Sequence, residues 1–175
     1  MNKEIDNHQT ASLGSFKDYA KSVDSSTRRS TILRMSGDRK KNAAESQILN
    51  ELVLFESESI LQRRGNKYIV EEGKSGRRKM KEGYCYLNSV EMMDKGYGYV
   101  EGYVTRKQDG YTFGHAWNVD KKETQYDFTL KDPEKYEYYG VIIPNEIVRL
   151  VGERNGYTWY AVLPFLDNEF NYKED

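Results

Sequence analysis

The pattern of apolar positions predicts two helices. Between residues 42 and 62 apolar side chains recur every three or four positions, at Ala44, Ile48, Leu52 and Phe55. This spacing is typical of an amphipathic helix, and Asn42 is a suitable residue to cap its start. Residues 85–93 show a shorter stripe at helical spacing, which predicts a second helix that begins at a cysteine.

After residue 96 the pattern changes to strict alternation, which is typical of strands. In 97–105 one face carries mostly tyrosines, while the other carries only Gly and Val, so that another element, here the helix of residues 85–93, can pack closely on it. Turn signals divide the remainder into four more predicted strands and a short helix, 145–151. The strands that we predict are 97–105, 111–120, 124–130, 138–143 and 157–163. The expected fold is therefore α+β, with an antiparallel sheet of about five strands and an N-terminal helical extension.

Residues 1–41 are polar and show no clear apolar period, so we predict there either a weakly ordered segment or an arm that docks on another surface. The other residues, 42–175, are of a suitable length for one domain.

Charge and cysteine content narrow the functional classes. The net charge is -1, which gives no general reason to expect nucleic acid or an anionic membrane as partner. Residues 1–84 carry 17 Lys and Arg against 12 Asp and Glu, whereas residues 85–175 carry 10 against 16. A single cysteine permits no internal disulfide and fits a reducing compartment, and no apolar run reaches the length of a signal peptide or membrane span. We therefore expect a soluble, cytoplasmic protein.

The candidate chemistry lies in the second half of the chain. Cys85, the only cysteine, falls at the start of a predicted helix, where backbone N–H groups favour a thiolate. His115 lies on a predicted strand, and a short loop would place Asp127 of the next strand opposite or diagonal to it. A thiol, an imidazole and an orienting carboxylate are the parts of an activated nucleophile. Asn118 is the reserve for the third part, since a strand bulge would turn it toward His115.

Two other interpretations stay open. Cys85 and His115 could be packing residues of a binding module, which would contact a protein or nucleic acid through its basic N-terminal half and the tyrosines of residues 97–103. In the second interpretation, the protein keeps the fold of an enzyme but binds its ligand without turnover. One cysteine, one plausible histidine and scattered carboxylates do not provide enough ligands for a zinc site, so we expect no metal and no cofactor.

An ordered set of short motifs resembles the papain-like cysteine enzymes, in particular their transglutaminase-like branch and small papain-like proteins of bacteriophages. The set is Cys85-Tyr86-x-Asn88, Tyr99-Val100-Glu101-Gly102-Tyr103, His115-Ala116-Trp117-x-Val119-Asp120, Asp127-x-Thr129 and Tyr139-Gly140-Val141. The resemblance covers roughly residues 80–165.

This resemblance implies that Cys85 is the nucleophile, His115 the general base and Asp127 its orienting carboxylate. The implied reaction is amide hydrolysis, deamidation or transamidation through a thioester, acting on a protein or small amide, in the host cytoplasm if the protein is phage-encoded. Papain-like proteases have an oxyanion-binding glutamine six residues before the cysteine, where this chain has Lys79. The backbone N–H of Cys85 would then need another donor. The candidates for oxyanion or substrate binding are Lys81, Tyr84, Asn88, Trp117 and Asn118.

Overall fold

A six-stranded sheet forms the centre of the protein in the computed structural model, which describes residues 18, 20–38, 40–76, 80–157 and 161–174. The strands are β1 (Asn66–Tyr68), β2 (Val70–Glu72), β3 (Gly98–Arg106), β4 (Thr112–Val119), β5 (Gln125–Asp127) and β6 (Tyr136–Ile143). Their order across the sheet is β1-β6-β3-β4-β5-β2. The predicted α+β class is confirmed.

The prediction of a purely antiparallel sheet is wrong, because β2 pairs with β5 in parallel. β2 has only three residues, which is too short for a recognisable alternation. The predicted strand 157–163 also differs from the structure. Residues 158–160 lie outside the described part, and the chain beyond them forms a 3-10 turn, Leu163–Phe165.

Residues 18 and 20–22 are helical, and four longer α-helices accompany the sheet in the described part of the chain. They are α1 (Ser25–Gly37), α2 (Ala43–Arg64), α3 (Cys85–Met93) and α4 (Asn145–Arg154). Asn42 caps α2 in a reciprocal arrangement with Glu45, which satisfies two N–H groups at the helix start. The helices predicted over 42–62 and 85–93 are thus confirmed.

Helix α1 was not predicted, because its 13 residues include only three large apolar side chains, Ile32, Leu33 and Met35. Tertiary contacts stabilise it instead. Ile32 is completely buried, and the Arg28 guanidinium pairs with the buried carboxylate of Glu56 on α2. Residues 25–37 therefore follow the alternative of a docked arm, while residues 1–17, 19 and 39 lie outside the described part.

The sheet has two differently covered faces. On one, which we call the helix face, Tyr99, Ala116 and Ile143 pack in one apolar cluster with residues of the four helices. On the other, the histidine face, Val100, Val104, Trp117 and Tyr138 form a smaller cluster. Strand register places His115 on the histidine face, between Phe113 and Trp117.

Helix α3 packs on the helix face, so our expectation that it lies against the glycine side of β3 is wrong. The glycines on that side serve another purpose. A Cβ on Gly102 would lie 2.0 Å from the carbonyl oxygen of Tyr139, and one on Gly140 would lie 2.6 Å from the Trp117 ring. The missing side chains therefore allow β3 to approach β6 and Trp117 to cover the strand.

Candidate active site

Cys85 is the first residue of α3 and follows a tight turn. Gly83 has a φ of 80°, a conformation that glycine adopts without strain. The side chain of Tyr84, the residue before the helix, makes no capping hydrogen bond, and the first turn contains no acidic residue. The half-buried thiol of Cys85 thus lies beside uncapped backbone N–H groups, which favour negative charge.

His115 and Asp127 form a buried pair. The distance from His115 Nε2 to Asp127 Oδ2 is 2.7 Å, and both side chains are almost fully withdrawn from solvent. The two residues come from neighbouring strands and are diagonal to each other, which is one of the two arrangements that the sequence predicts. Because Nε2 is engaged with the carboxylate, Nδ1 is the ring nitrogen left for a proton acceptor or donor.

Three further donors fix the Asp127 carboxylate. The Tyr138 hydroxyl donates to Oδ2 at 2.8 Å, while the backbone N–H groups of Thr129 and Leu130 donate to Oδ1 at 2.8 and 2.9 Å. The hydrogen bonds within residues 127–130 form a turn directly after β5. The carboxylate therefore has a fixed orientation from which to position the imidazole.

Electrostatics favour an ionised pair. Burial alone would lower the pKa of His115, but the charge of Asp127 and the interaction with the Cys85 thiol raise it to about 10. Burial alone would raise the pKa of Asp127, whereas the imidazolium and the donated hydrogen bonds lower it overall. His115 therefore holds a proton at neutral pH and can stabilise an adjacent thiolate.

The thiol and the imidazole line one cavity of about 240 Å³. This cavity lies where β5 stops covering β4, since β5 pairs only with Asn118 and Val119. The uncovered part of β4 contributes Phe113, Gly114 and His115, and the start of α3 contributes Cys85. A helix on one face of the sheet and a histidine on the other thus meet at the open edge of a strand.

Two of the proposed oxyanion or substrate-binding residues belong to the interior. Trp117 is fully buried, and its Nε1 donates to Gln125 at 2.8 Å. Asn118 donates to the carbonyl oxygens of Ser89 and Gly98, which attaches α3 to β4. Neither residue lines the cavity, and Asn118 is not the partner of His115.

The other candidates also lie elsewhere. Both N–H groups of the Asn88 amide are engaged, with the Lys81 carbonyl oxygen and with Thr129 Oγ1, each at 2.9 Å. Tyr84 is exposed, and the ammonium group of Lys81 lies over its ring. Asn88 therefore positions the turn after β5, while Tyr84 and Lys81 lie outside the cavity.

Sequence reasoning missed two polar residues of the site. Tyr138 reaches Asp127 only through the pairing of β6 with β3, which the chain order does not reveal. Asn50 of α2 lines the cavity, and its Oδ1 accepts a hydrogen bond from the Gly114 N–H at 2.6 Å. A faint signal existed, because Ser46 and Asn50 interrupt an otherwise apolar stripe with Leu49 and Val53.

The chain matches no protein-family model, and comparison with curated proteins and with solved structures finds no significant match. Within the described ranges, no group of three or more His, Cys, Asp and Glu residues is placed to hold a metal ion. No helix of the described residues is long and apolar enough to cross a membrane. A functional interpretation therefore depends on the geometry of the site itself.

Proposed function

We propose that this protein is a cysteine-dependent acyl-transfer enzyme with a papain-like arrangement of Cys85, His115 and Asp127. The observation that carries the proposal is the buried His115–Asp127 pair, which opens onto the same cavity as a half-buried thiol at a helix start. In a packing role, the histidine would need neither a fixed carboxylate nor a thiol beside it.

The residues suit a two-step reaction. The Cys85 thiolate attacks an amide carbonyl carbon, and the C–N bond then breaks while His115 transfers a proton from Nδ1 to the leaving amine. Water or a second amine attacks the resulting thioester and gives a proton to His115. The C–S bond then breaks and releases Cys85 as the thiolate. Water as acceptor gives hydrolysis or deamidation, and an amine gives transamidation.

Alkylation of Cys85 by iodoacetamide, measured from about pH 4 to pH 10, tests the proposal. The chain has one cysteine, so the labelling reports on this thiol alone. We compare wild type with His115→Gln, whose amide can still donate to Asp127 but cannot hold an imidazolium proton. We expect wild type to react rapidly at pH 6 and the folded variant to require alkaline pH.

The opposite result would contradict the proposal. If both proteins react only above about pH 8.5, the pKa of a free thiol, His115 does not activate Cys85. Reaction only after denaturation would likewise identify Cys85 as a packing residue. Circular dichroism of both proteins verifies that the comparison is between folded states.

A further inference from the structure

The proposed reaction requires a donor for the negative oxygen that forms when the thiolate attacks a carbonyl. The backbone N–H of Cys85 supplies one donor. The side-chain donors predicted from the sequence are engaged elsewhere or lie outside the cavity, and this includes both amide N–H groups of Asn88 and of Asn118.

We infer that Asn50 supplies the missing side-chain donor and hydrogen-bonds the oxyanion through Nδ2. The inference rests on the proposed acyl transfer. Asn50 lies on α2, 35 positions before Cys85, and lines the same cavity as Cys85 and His115. It would therefore perform the role of an upstream glutamine from a different element of the fold.

The hydrogen bond from the backbone of Gly114 determines which end of the Asn50 amide is free. Because the Gly114 N–H points to Oδ1, the oxygen is the anchored atom and Nδ2 is the other end. Nδ2 has no hydrogen-bond partner among the residues that the structure describes. An amide that is anchored at one end and makes no hydrogen bond to the described protein at the other is free to donate to a ligand.

The hydrogen bond from Gly114 also links the position of Asn50 to that of His115. Gly114 directly precedes His115 on β4, so the same strand holds both the general base and the anchor of Asn50. Any shift of β4 would move the two groups together. The position of Asn50 relative to the reacting carbonyl is thereby coupled to that of the imidazole.

Tyr86 is one of the competing hydroxyl donors in the cavity, which Ser36, Ser46 and Thr129 also line. Burial and the nearby groups of Cys85 and Glu101 raise the pKa of its hydroxyl, so it stays protonated. No hydrogen bond in the described part of the chain fixes the orientation of this hydroxyl, in contrast to the anchored amide of Asn50. The experiment must nevertheless separate the two residues.

Two reactions of Cys85 distinguish an oxyanion donor from a residue that activates the thiol. Acetylation by 4-nitrophenyl acetate forms a C–S bond, passes through an oxyanion and expels 4-nitrophenolate. Alkylation by iodoacetamide displaces iodide and forms no oxyanion. The ratio of the two rates therefore isolates the contribution of the donor.

We would measure this ratio in Asn50→Asp, Asn50→Ala, Tyr86→Phe and Gln47→Ala. Asn50→Asp retains the acceptor for the Gly114 N–H and replaces the donor by a negative charge, which keeps the test informative if the alanine variant unfolds. Gln47→Ala is the matched control, because Gln47 is exposed on α2 one turn before Asn50 and does not line the cavity. We expect both Asn50 variants to lower the ratio by roughly 100-fold, and Gln47→Ala and Tyr86→Phe to leave it near the wild-type value.

An unchanged ratio in Asn50→Asp, or a loss in Tyr86→Phe alone, would overturn the assignment of Asn50. So would a wild-type thiol that alkylates rapidly at pH 6 but is not acetylated. Slow wild-type alkylation below about pH 8.5 would instead refute the Cys–His pair, and with it the proposed function. The failures of the two proposals are thus distinguishable.

Discussion

Asp127 and Glu101 lie on opposite faces of the sheet, and each is a carboxylate with almost no exposure, 0% and 1% respectively. Their neutral donors are nearly the same. Each accepts from a tyrosine hydroxyl and from two successive backbone N–H groups, which for Glu101 are Tyr99, Val162 and Leu163. The pKa values of the two nevertheless shift in opposite directions.

Burial raises the pKa of Glu101 to about 7, against the effect of its hydrogen bonds. The pKa of Asp127 is lowered, although its burial acts in the same upward direction. The difference between the two environments is the imidazolium of His115. Neutral donors alone do not offset the removal of a carboxylate from water, whereas a neighbouring cation does. The comparison therefore separates a carboxylate that has only neutral donors from one that is paired with an imidazolium.

The strongest way to break this comparison is Asp127→Asn. The new amide can donate to His115 Nε2, which leaves the ring proton on Nδ1 and prevents this nitrogen from accepting a proton. We expect acetylation of Cys85 by 4-nitrophenyl acetate to slow by between about 100- and 10,000-fold near neutral pH. Stopped-flow detection of 4-nitrophenolate measures the rate.

Glu101→Gln is the matched control for Asp127→Asn, because it neutralises the other buried carboxylate. We expect its acetylation rate to stay within about threefold of wild type, since Glu101 faces the 3-10 turn and not the cavity. Equal losses in the two variants would contradict the separate roles of the two carboxylates.

The pH dependence of unfolding gives a second, smaller difference. The folded-state pKa of Glu101, about 7, lies above its ordinary value of 4.5, so its contribution to stability is present below pH 4.5 and is lost as pH rises through 7. In Glu101→Gln the side chain does not ionise, so the variant does not lose this contribution as the pH rises. We would measure the free energy of unfolding of both proteins in urea at pH 4.5 and pH 8. We expect the difference, variant minus wild type, to rise by at most roughly 3 kcal/mol between these two pH values. A variant that is destabilised equally at both pH values would contradict the raised pKa.

The tyrosine hydroxyls should give the smallest effects. Tyr138→Phe removes one donor from Asp127 and should slow acetylation by less than about tenfold, in line with roughly 1 kcal/mol for one hydrogen bond. Tyr99→Phe removes the corresponding donor from Glu101 and should leave acetylation unchanged. A larger loss in Tyr99→Phe than in Tyr138→Phe would reverse the assignment of the two carboxylates.

The elements that the sequence predicts well are those with long local patterns. Helix α2 has 22 residues and a full capping box, and the hairpin of β3 and β4 alternates over eight paired positions. Alternation along β4 also fixed His115 beside Phe113 and Trp117, and the short turn that follows brought Asp127 within reach. Period, caps and turns are properties of neighbouring residues, so they can be inferred from one chain.

Local sequence patterns and tertiary structure determined different parts of this protein. The sequence determined by itself the helix that bears Cys85, the strand that bears His115 and the placement of Asp127 on the next strand, opposite or diagonal to His115. Only the fold placed the three-residue β2 in parallel with β5, stabilised α1 through Arg28 and Glu56, and left the edge of β4 open for Asn50. These features arise from contacts between residues that are distant along the chain, whose pairing depends on burial and geometry and leaves no periodic signal in the sequence.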